Sequence, residues 1–481
     1  MTLEITEYGR RAQQTRGMTL VEMLVATAIT LLMIVALSQV FVIFSETISA
    51  NRATLELSGQ LRGVALRLQK DLEGVTVPLR PWPRRSSGLG YFEYFEGPQT
   101  DYNVNSPRSD TSVGDYDDIV MFTVRSTGEP FVGRVRGPIV GQRPGTYATI
   151  TSKVAEVIWW TQLVDLDGNG QYSAGDRFRV HRRALLIHPS LNAIPAGTLN
   201  GVGASTLAQL QAFHNDNDLS VRRNGSGGLV ANSLEDLTIR ANRFAHIAVP
   251  QNPPTMRRGF PHVINNVQIA GSIRVGLLNS GYAQRGDLVG EDRMLANVLA
   301  FDVRAYDSTA PVRRDAGSND ALVPGDPGYG AGTTIGAGAF VDLNYANSLG
   351  VGGTSMFSGR PLIRSQLYLV DTSTSPNSLV VLPTYDTWSL AYERDGINQD
   401  GPLSAPPPLN PIPASLIDAF VDEAFNGIDN NGVNGVDDMG ERETSPPYPI
   451  PLRGIQVRLR IIDPDSRQVR QMTAVSDFTP E

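Results

Sequence analysis

A run of 22 uncharged residues, Met23 to Phe44 (MLVATAITLLMIVALSQVFVIF), limits what this chain can become more than any other feature. As a helix rising about 1.5 Å per residue it spans about 33 Å, enough for a hydrocarbon core of about 30 Å. A secretory signal peptide needs an apolar stretch of only about 7–15 residues, followed by a small-x-small cleavage site. Ile48-Ser49-Ala50 fits that site poorly, so an uncleaved anchor is expected. Arg10, Arg11 and Arg16 precede the run, whereas Glu46, Arg52 and Glu56 follow it. The positive-inside bias then keeps the first residues cytoplasmic and places the bulk of the chain on the far side.

Glu22 stands at the edge of this run. A carboxylate there without a partner costs several kcal/mol, so a cation is expected to meet it. A cut after Gly17 in Gly17-Met18-Thr19-Leu20-Val21-Glu22-Met23-Leu24 would create an amine about one helical turn from that carboxylate. This segment resembles the type III signal of type IV pilins and type II secretion pseudopilins. The resemblance implies that a prepilin peptidase cuts after Gly17 and methylates the new amino terminus at Met18. It also implies that Glu22 helps recruit the subunit and pairs with a neighbour's amino terminus in a filament. Met18 departs from the phenylalanine commoner in that family, while Gly17 keeps the small residue before the cut and Glu22 the carboxylate. The implied partners are the peptidase, other pilin or pseudopilin subunits and the inner membrane. The chain would cross that membrane once, with its amino terminus cytoplasmic and its head periplasmic.

Beyond the apolar run, Leu57, Leu61, Val64, Ala65, Leu68 and Leu72 follow the spacing of one helical stripe, and Gly74 and Pro78 stop the helix. From Met18 to Glu73 it has 56 residues, or about 84 Å if straight. Its first half is expected to pack with other subunits' helices and its striped half on a sheet of its own head. Gly59 and Gly63 leave two readings open, close approach to that sheet or simple tolerance.

Residues from about Pro78 to Asp110 are rich in Pro, Gly, Ser and Arg and read as a loop. Strands are predicted over Asp118–Val124, Val154–Thr161, Arg177–Leu186, Leu237–Ala241, Val263–Leu278, Val298–Tyr306, Leu367–Val370, Trp388–Tyr392 and Gly454–Ile462. No comparable helical periodicity follows Glu73, so the head should be mainly β. The expected fold is α+β, a long amino-terminal helix packed on a mainly antiparallel sheet. Its parts are a leader over 1–17, a membrane and filament-core helix over 18–45, an amphipathic stem over 46–77 and a head over 78–481. Stretches near 190–228 and 310–359 look like inserted loops. This order of helix, loop and β-rich head, with Arg67-Leu68-Gln69-Lys70-Asp71-Leu72 closing the helix, is similar to the larger minor pilins of the W type and J-type pseudopilins.

The formal net charge of -8 argues against a nucleic-acid partner, because neutralising phosphates requires a basic face. No cysteine is present, which excludes disulfides, thiolate metal sites and a cysteine nucleophile. Bound cations could staple such a head instead. Asp165-Leu166-Asp167-Gly168-Asn169-Gly170-Gln171-Tyr172-Ser173-Ala174-Gly175-Asp176 resembles the calcium loop of EF-hand proteins. Asp165, Asp167, Asn169, Ser173 and Asp176 would supply side-chain oxygens to Ca2+ and Gln171 its carbonyl, the loop joining a β-hairpin. The alternative is an Asx- and Gly-rich turn without metal. A second candidate uses Asp429, Asn431, Asn434 and Asp437, with Val433 displacing one ligand from the expected spacing. A weaker acidic stretch spans Asp395–Asp400.

The five histidines, His181, His188, His214, His246 and His262, lack zinc-site spacing, and no nucleophile elbow or Walker A loop occurs. The expectation is therefore a minor pilin- or pseudopilin-like structural subunit, not an enzyme. A membrane-anchored, calcium-dependent binding or adhesion module is the alternative, and an anchored hydrolase a third class.

Overall fold

One helix, α1 (Leu20–Glu73, 54 residues), carries both the apolar run and the predicted stripe. The computed structural model describes residues 18–80, 87–97, 113–136, 146–166, 168, 176–193, 199, 207–223, 228–239, 242–246, 268–269, 273–274, 282–284, 290–315, 317–326, 328–343, 345, 366–371, 378–387 and 450–478. The chain divides into two units, 1–56 and 57–481, and α1 passes from one into the other.

In the first unit the side chains of α1 are exposed from Leu20 to Ser49, Leu32 at 70% and Phe41 at 72%. The helix is long and apolar enough to cross a membrane, which fits a single-pass membrane protein. In the second unit the buried apolar residues of α1 are Leu57, Leu61, Val64, Ala65, Leu68 and Leu72, the predicted stripe. A Cβ on Gly59 or Gly63 would meet nothing within 4 Å, so these glycines are tolerated and mediate no close approach. Gly74 differs. A Cβ there would lie 2.6 Å from Val124 Cγ1 and 2.8 Å from the Arg125 carbonyl oxygen, so only glycine lets the helix end turn against the adjoining strand.

The strands are β1 (Phe92–Phe95), β2 (Ile119–Arg125), β3 (Phe131–Arg136), β4 (Tyr147–Ser152), β5 (Val154–Val164) and β6 (Arg177–Leu186). After a second helix, α2 (Leu207–Asp216), come β7 (Val221–Arg223), β8 (Leu229–Ala231), β9 (Gln268–Ile269), β10 (Ile273–Arg274) and β11 (Arg293–Arg314). The last are β12 (Ala321–Leu322), β13 (Thr333–Val341), β14 (Gln366–Asp371), β15 (Ser378–Asp386), β16 (Gly454–Ile462) and β17 (Val469–Asp477). The main sheet runs β14-β15-β1-β2-β5-β6-β11-β16-β17, with β12 and β13 also on β11. These pairings are antiparallel, giving the α+β architecture.

The centre of the sheet is buried on both faces. Val120, Phe122, Val157 and Trp159 pack in the cluster that holds the α1 stripe, while the alternating Ile119, Met121, Ile158 and Trp160 pack in a second cluster with Leu237, Phe244 and Tyr282. Two-sided burial explains why these strands read as continuous apolar runs rather than as alternation. The second face also carries a buried polar layer. Glu156 accepts bonds from Tyr91 Oη at 2.7 Å, Ser220 Oγ at 2.6 Å and the Phe244 amide at 2.8 Å.

Several elements differ from the sequence reading. Leu237 sits in a 3-10 turn, Asp236–Thr238, instead of a strand. Ser233 and Asp236 exchange bonds of 2.7 and 3.2 Å that close the turn locally, and Leu237 still reaches the core. Of Val263–Leu278, the described residues form only β9 and β10. The strand read over Val298–Tyr306 is the middle of the 22-residue β11, which switches partners from β6 to β16 to β13 through irregular registers, with Asn297 at φ 53° inside one of them. The 310–359 stretch therefore includes paired strand, the end of β11 with β12 and β13. The 190–228 stretch holds α2, whose Leu210 and Phe213 pack with Leu186, Leu219 and Leu229 in a third cluster. Trp388–Tyr392 lies outside the described residues.

Candidate functional site

At the start of α1, Thr19 and Glu22 form a capping box. The Thr19 amide and hydroxyl reach Glu22 Oε2 at 2.8 and 3.1 Å, and the Glu22 amide donates to Thr19 Oγ1 at 3.2 Å. The carboxylate thus has local donors that the sequence reading missed, although Thr-x-x-Glu was visible there. Its Oε1 makes no hydrogen bond among the described residues and is open to a further partner. Met18 is 68% exposed, while Gly17 lies outside the described residues.

At the other end of α1, in the second unit, Asp71 is 2% exposed and accepts a fork from Arg182, Nε at 2.6 Å to Oδ2 and Nη2 at 2.9 Å to Oδ1. Trp159 Nε1 donates to the same carboxylate at 3.1 Å, and Arg67 lies one turn back at 3.4 Å. Strands β5 and β6 place Trp159 and Arg182 directly opposite each other, so one carboxylate fastens the helix end to both.

The predicted calcium loop does join a β-hairpin, β5 to β6. Asp165 Oδ1 accepts the Gly168 amide at 2.7 Å, and the buried Asp176 Oδ1 accepts the Leu166 amide at 2.8 Å. Both carboxylates thus brace the turn. Asp167, Asn169, Gln171 and Ser173 lie outside the described residues, as do Asp395–Asp400, Asp429, Asn431, Asn434 and Asp437.

The described histidines stand in four separate environments. His181 Nδ1 is 3.2 Å from Asp292 Oδ1, His188 Nδ1 is 2.8 Å from Ser190 Oγ, and His246 Nε2 is 2.9 Å from Glu93 Oε2. His214 is buried edge-on to Phe244, 5.0 Å between ring centroids, and neither ring nitrogen has a hydrogen-bond partner among the described residues. Burial, then the nearby Arg183 charge, pushes its pKa down to about 3 from 6.5. A depressed histidine pKa leaves stability intact above the unfolded value and removes it as pH falls. We expect this residue alone to cost the fold about 2 kcal/mol on going from pH 7 to pH 5. His214→Phe should flatten that part of the stability profile in urea titrations; an unchanged slope would contradict the assignment.

A feature hidden in the sequence is a buried acidic cluster. Glu96 follows β1, Asp115, Asp117 and Asp118 lead into β2, Asp302 lies in β11 and Asp342 follows β13, all at most 5% exposed. Burial, then the charges of Asp118 and Asp342, holds Glu96 well above the usual carboxylate range. Burial and neighbouring carboxylates do the same for Asp115 and Asp118. The run Asp115-Tyr116-Asp117-Asp118 was legible, but its convergence with Glu96 and Asp342 depends on pairing between distant strands.

No protein-family model, curated protein or solved structure matches the chain, so its functional reading rests on its own residues.

Proposed function

We propose that this chain is a minor pilin- or pseudopilin-like structural subunit, processed after Gly17 and assembled into an extracytoplasmic filament through its amino-terminal helix. The observation that carries the reading is the segment Gly17-Met18-Thr19-Leu20-Val21-Glu22 set directly before an exposed apolar helix that continues to Glu73. The single-pass anchor and the antiparallel head with α1's last turns packed on it support it. So does Glu22 Oε1, which makes no bond among the described residues and can accept the methylated amine of a neighbouring Met18. The role is assembly, with the head presented outside the inner membrane.

The test separates processing from assembly. Glu22→Leu should still be cut by prepilin peptidase, while its co-purification with partner pilins or pseudopilins after crosslinking falls about tenfold or more, as loss of a membrane-embedded ion pair would produce. Wild-type levels of co-assembly by Glu22→Leu would remove Glu22 from the proposal.

A further inference from the structure

Four polar side chains interrupt the apolar run over residues 23–44, Thr27, Thr30, Ser38 and Gln39, and they differ in how their polar atoms are met. Thr27 Oγ1 donates to the Leu24 carbonyl at 3.0 Å and Thr30 Oγ1 to the Ala26 carbonyl at 2.6 Å, so both hydroxyls are answered within α1. Ser38 and Gln39 are exposed and make no side-chain hydrogen bond among the described residues. In hydrocarbon no water replaces the missing partner, and an amide left without one is costly. Gln39 cannot readily escape to water. The run is centred between Met33 and Ile34, so at about 1.5 Å per residue Gln39 lies about 8 Å from its middle and about as far from its end at Phe44. Side chains on a helix lean towards its amino terminus, which turns this amide back to the middle and away from the nearer interface.

Both residues line one groove. Along α1, Ile34, Ser38 and Val42 form one row four residues apart and Val35, Gln39 and Ile43 the next, and these six residues line the depression between the rows. Ser38, the smallest of the six, opens the groove beside the Gln39 amide. We propose that this groove seats the same groove of a second copy of the chain, in a parallel pair of α1 helices joined within the membrane by hydrogen bonds from Gln39 to Gln39.

The site's own chemistry favours a second copy. A carboxamide carries both donor and acceptor, so Gln39 Nε2 donates to Gln39 Oε1 of the second copy and its own Oε1 accepts the reciprocal bond. A charged group has no such match with itself. Copies oriented by the same flanking charges run parallel and bring Gln39 to the same depth. A two-fold axis through the groove sets each residue against its counterpart, and rows four residues apart are the ridges that interdigitate between helices. Apolar residues alone give little drive to associate, because lipid tails are as apolar as they are, whereas a polar pair between helices is favoured there. The pairing needs α1 in a membrane but not the cut after Gly17. It therefore rests on the single-pass part of the proposed function and is separate from the filament contact at Glu22.

A chain without cysteine allows single-cysteine crosslinking without background. Ser38→Cys in the full chain, expressed without prepilin peptidase or other pilin-like subunits and oxidised mildly in isolated membranes, should give a disulfide-linked dimer. Val40→Cys, two residues on and therefore on the opposite face of α1, should give about tenfold less. Adding Gln39→Leu to Ser38→Cys should lower the dimer yield about tenfold, and Gln39→Asn in its place should restore part of it. Gln39→Leu makes the span more apolar, so carbonate extraction should leave it in the membrane pellet with the wild-type chain, which separates a lost dimer from lost insertion. An integrated Ser38→Cys chain that forms no dimer, equal yields from Ser38→Cys and Val40→Cys, or a yield unmoved by Gln39→Leu would each overturn the pairing. So would a Ser38→Cys crosslink that forms only when other pilin-like subunits are co-expressed and joins the chain to one of them. Release of the wild-type chain by carbonate would overturn the anchor and the pairing with it, a result distinct from an integrated chain that stays monomeric.

Discussion

Arg243→Ala is expected to cost the head on the order of 5 kcal/mol, enough to unfold a domain of ordinary marginal stability. The Arg243 side chain is fully buried, with Nη1 2.8 Å from Glu93 Oε2 and 2.7 Å from Asp386 Oδ2. Its Nε donates to the Leu237 carbonyl at 3.0 Å, and the guanidinium lies 4.0 Å from the centre of the Tyr91 ring. Burial alone would lower its pKa, but Asp386 and Glu93 outweigh burial and raise it above the ordinary arginine value. Truncation leaves two carboxylates on β1 and β15 facing a cavity without this cation, and removing one partner of a buried charge cluster costs more than the cluster contributes. Urea unfolding of the full chain in detergent, followed by tryptophan emission, measures the effect. Replacing the set together, Arg243→Met with Glu93→Gln and Asp386→Asn, should recover a large part of the loss. An Arg243→Ala midpoint near wild type would mean that the β1–β15 ladder and apolar packing hold without this charge cluster.

The second large effect is expected at Asp71, where Asp71→Ala should destabilise the head by about 3–5 kcal/mol. The carboxylate is 2% exposed and answers three donors on Arg182 and Trp159, so its loss leaves a largely covered guanidinium and a buried indole N–H without their acceptor. Asp71→Asn keeps one acceptor oxygen and should cost less. Amide hydrogen exchange resolves the consequence locally, with residues 57–73 losing protection before the central strands do. Uniform loss across strands and helix alike would show that Asp71 supports the fold globally and not the helix end in particular.

Much of the frame was legible because it depends on local pattern. The stripe from Leu57 to Leu72 and the limits of Arg177–Leu186 and Gly454–Ile462 follow from periodicity and β-branching within short windows. Where tertiary contacts decide, local reading failed. Leu237 looked like strand because it is apolar, yet the Ser233–Asp236 turn takes the backbone and the side chain still reaches the core. Residues 310–314 looked inserted, but they extend β11 beside the Gly-rich β13, whose small residues suit a paired strand only once the partner is known. The same holds for charge. The hairpin loop advertised its acidic residues in one stretch, whereas Glu96, Asp115 and Asp342 are separated in sequence and meet only through the sheet. Glu22 stands alone in charge beside the apolar run, yet Thr19, three residues before it, supplies the capping-box donors that its charge pattern does not reveal.

The central claim is that the first residues are a leader removed on the way into a filament. Intact mass and amino-terminal sequencing of the membrane-associated protein, with and without the host prepilin peptidase, test it most directly. The account predicts a mature chain beginning at N-methylated Met18, produced only when the peptidase is present. A chain that still begins at Met1 beside active peptidase would contradict it, reducing the helix to a simple anchor and leaving the calcium-dependent binding module as the better reading.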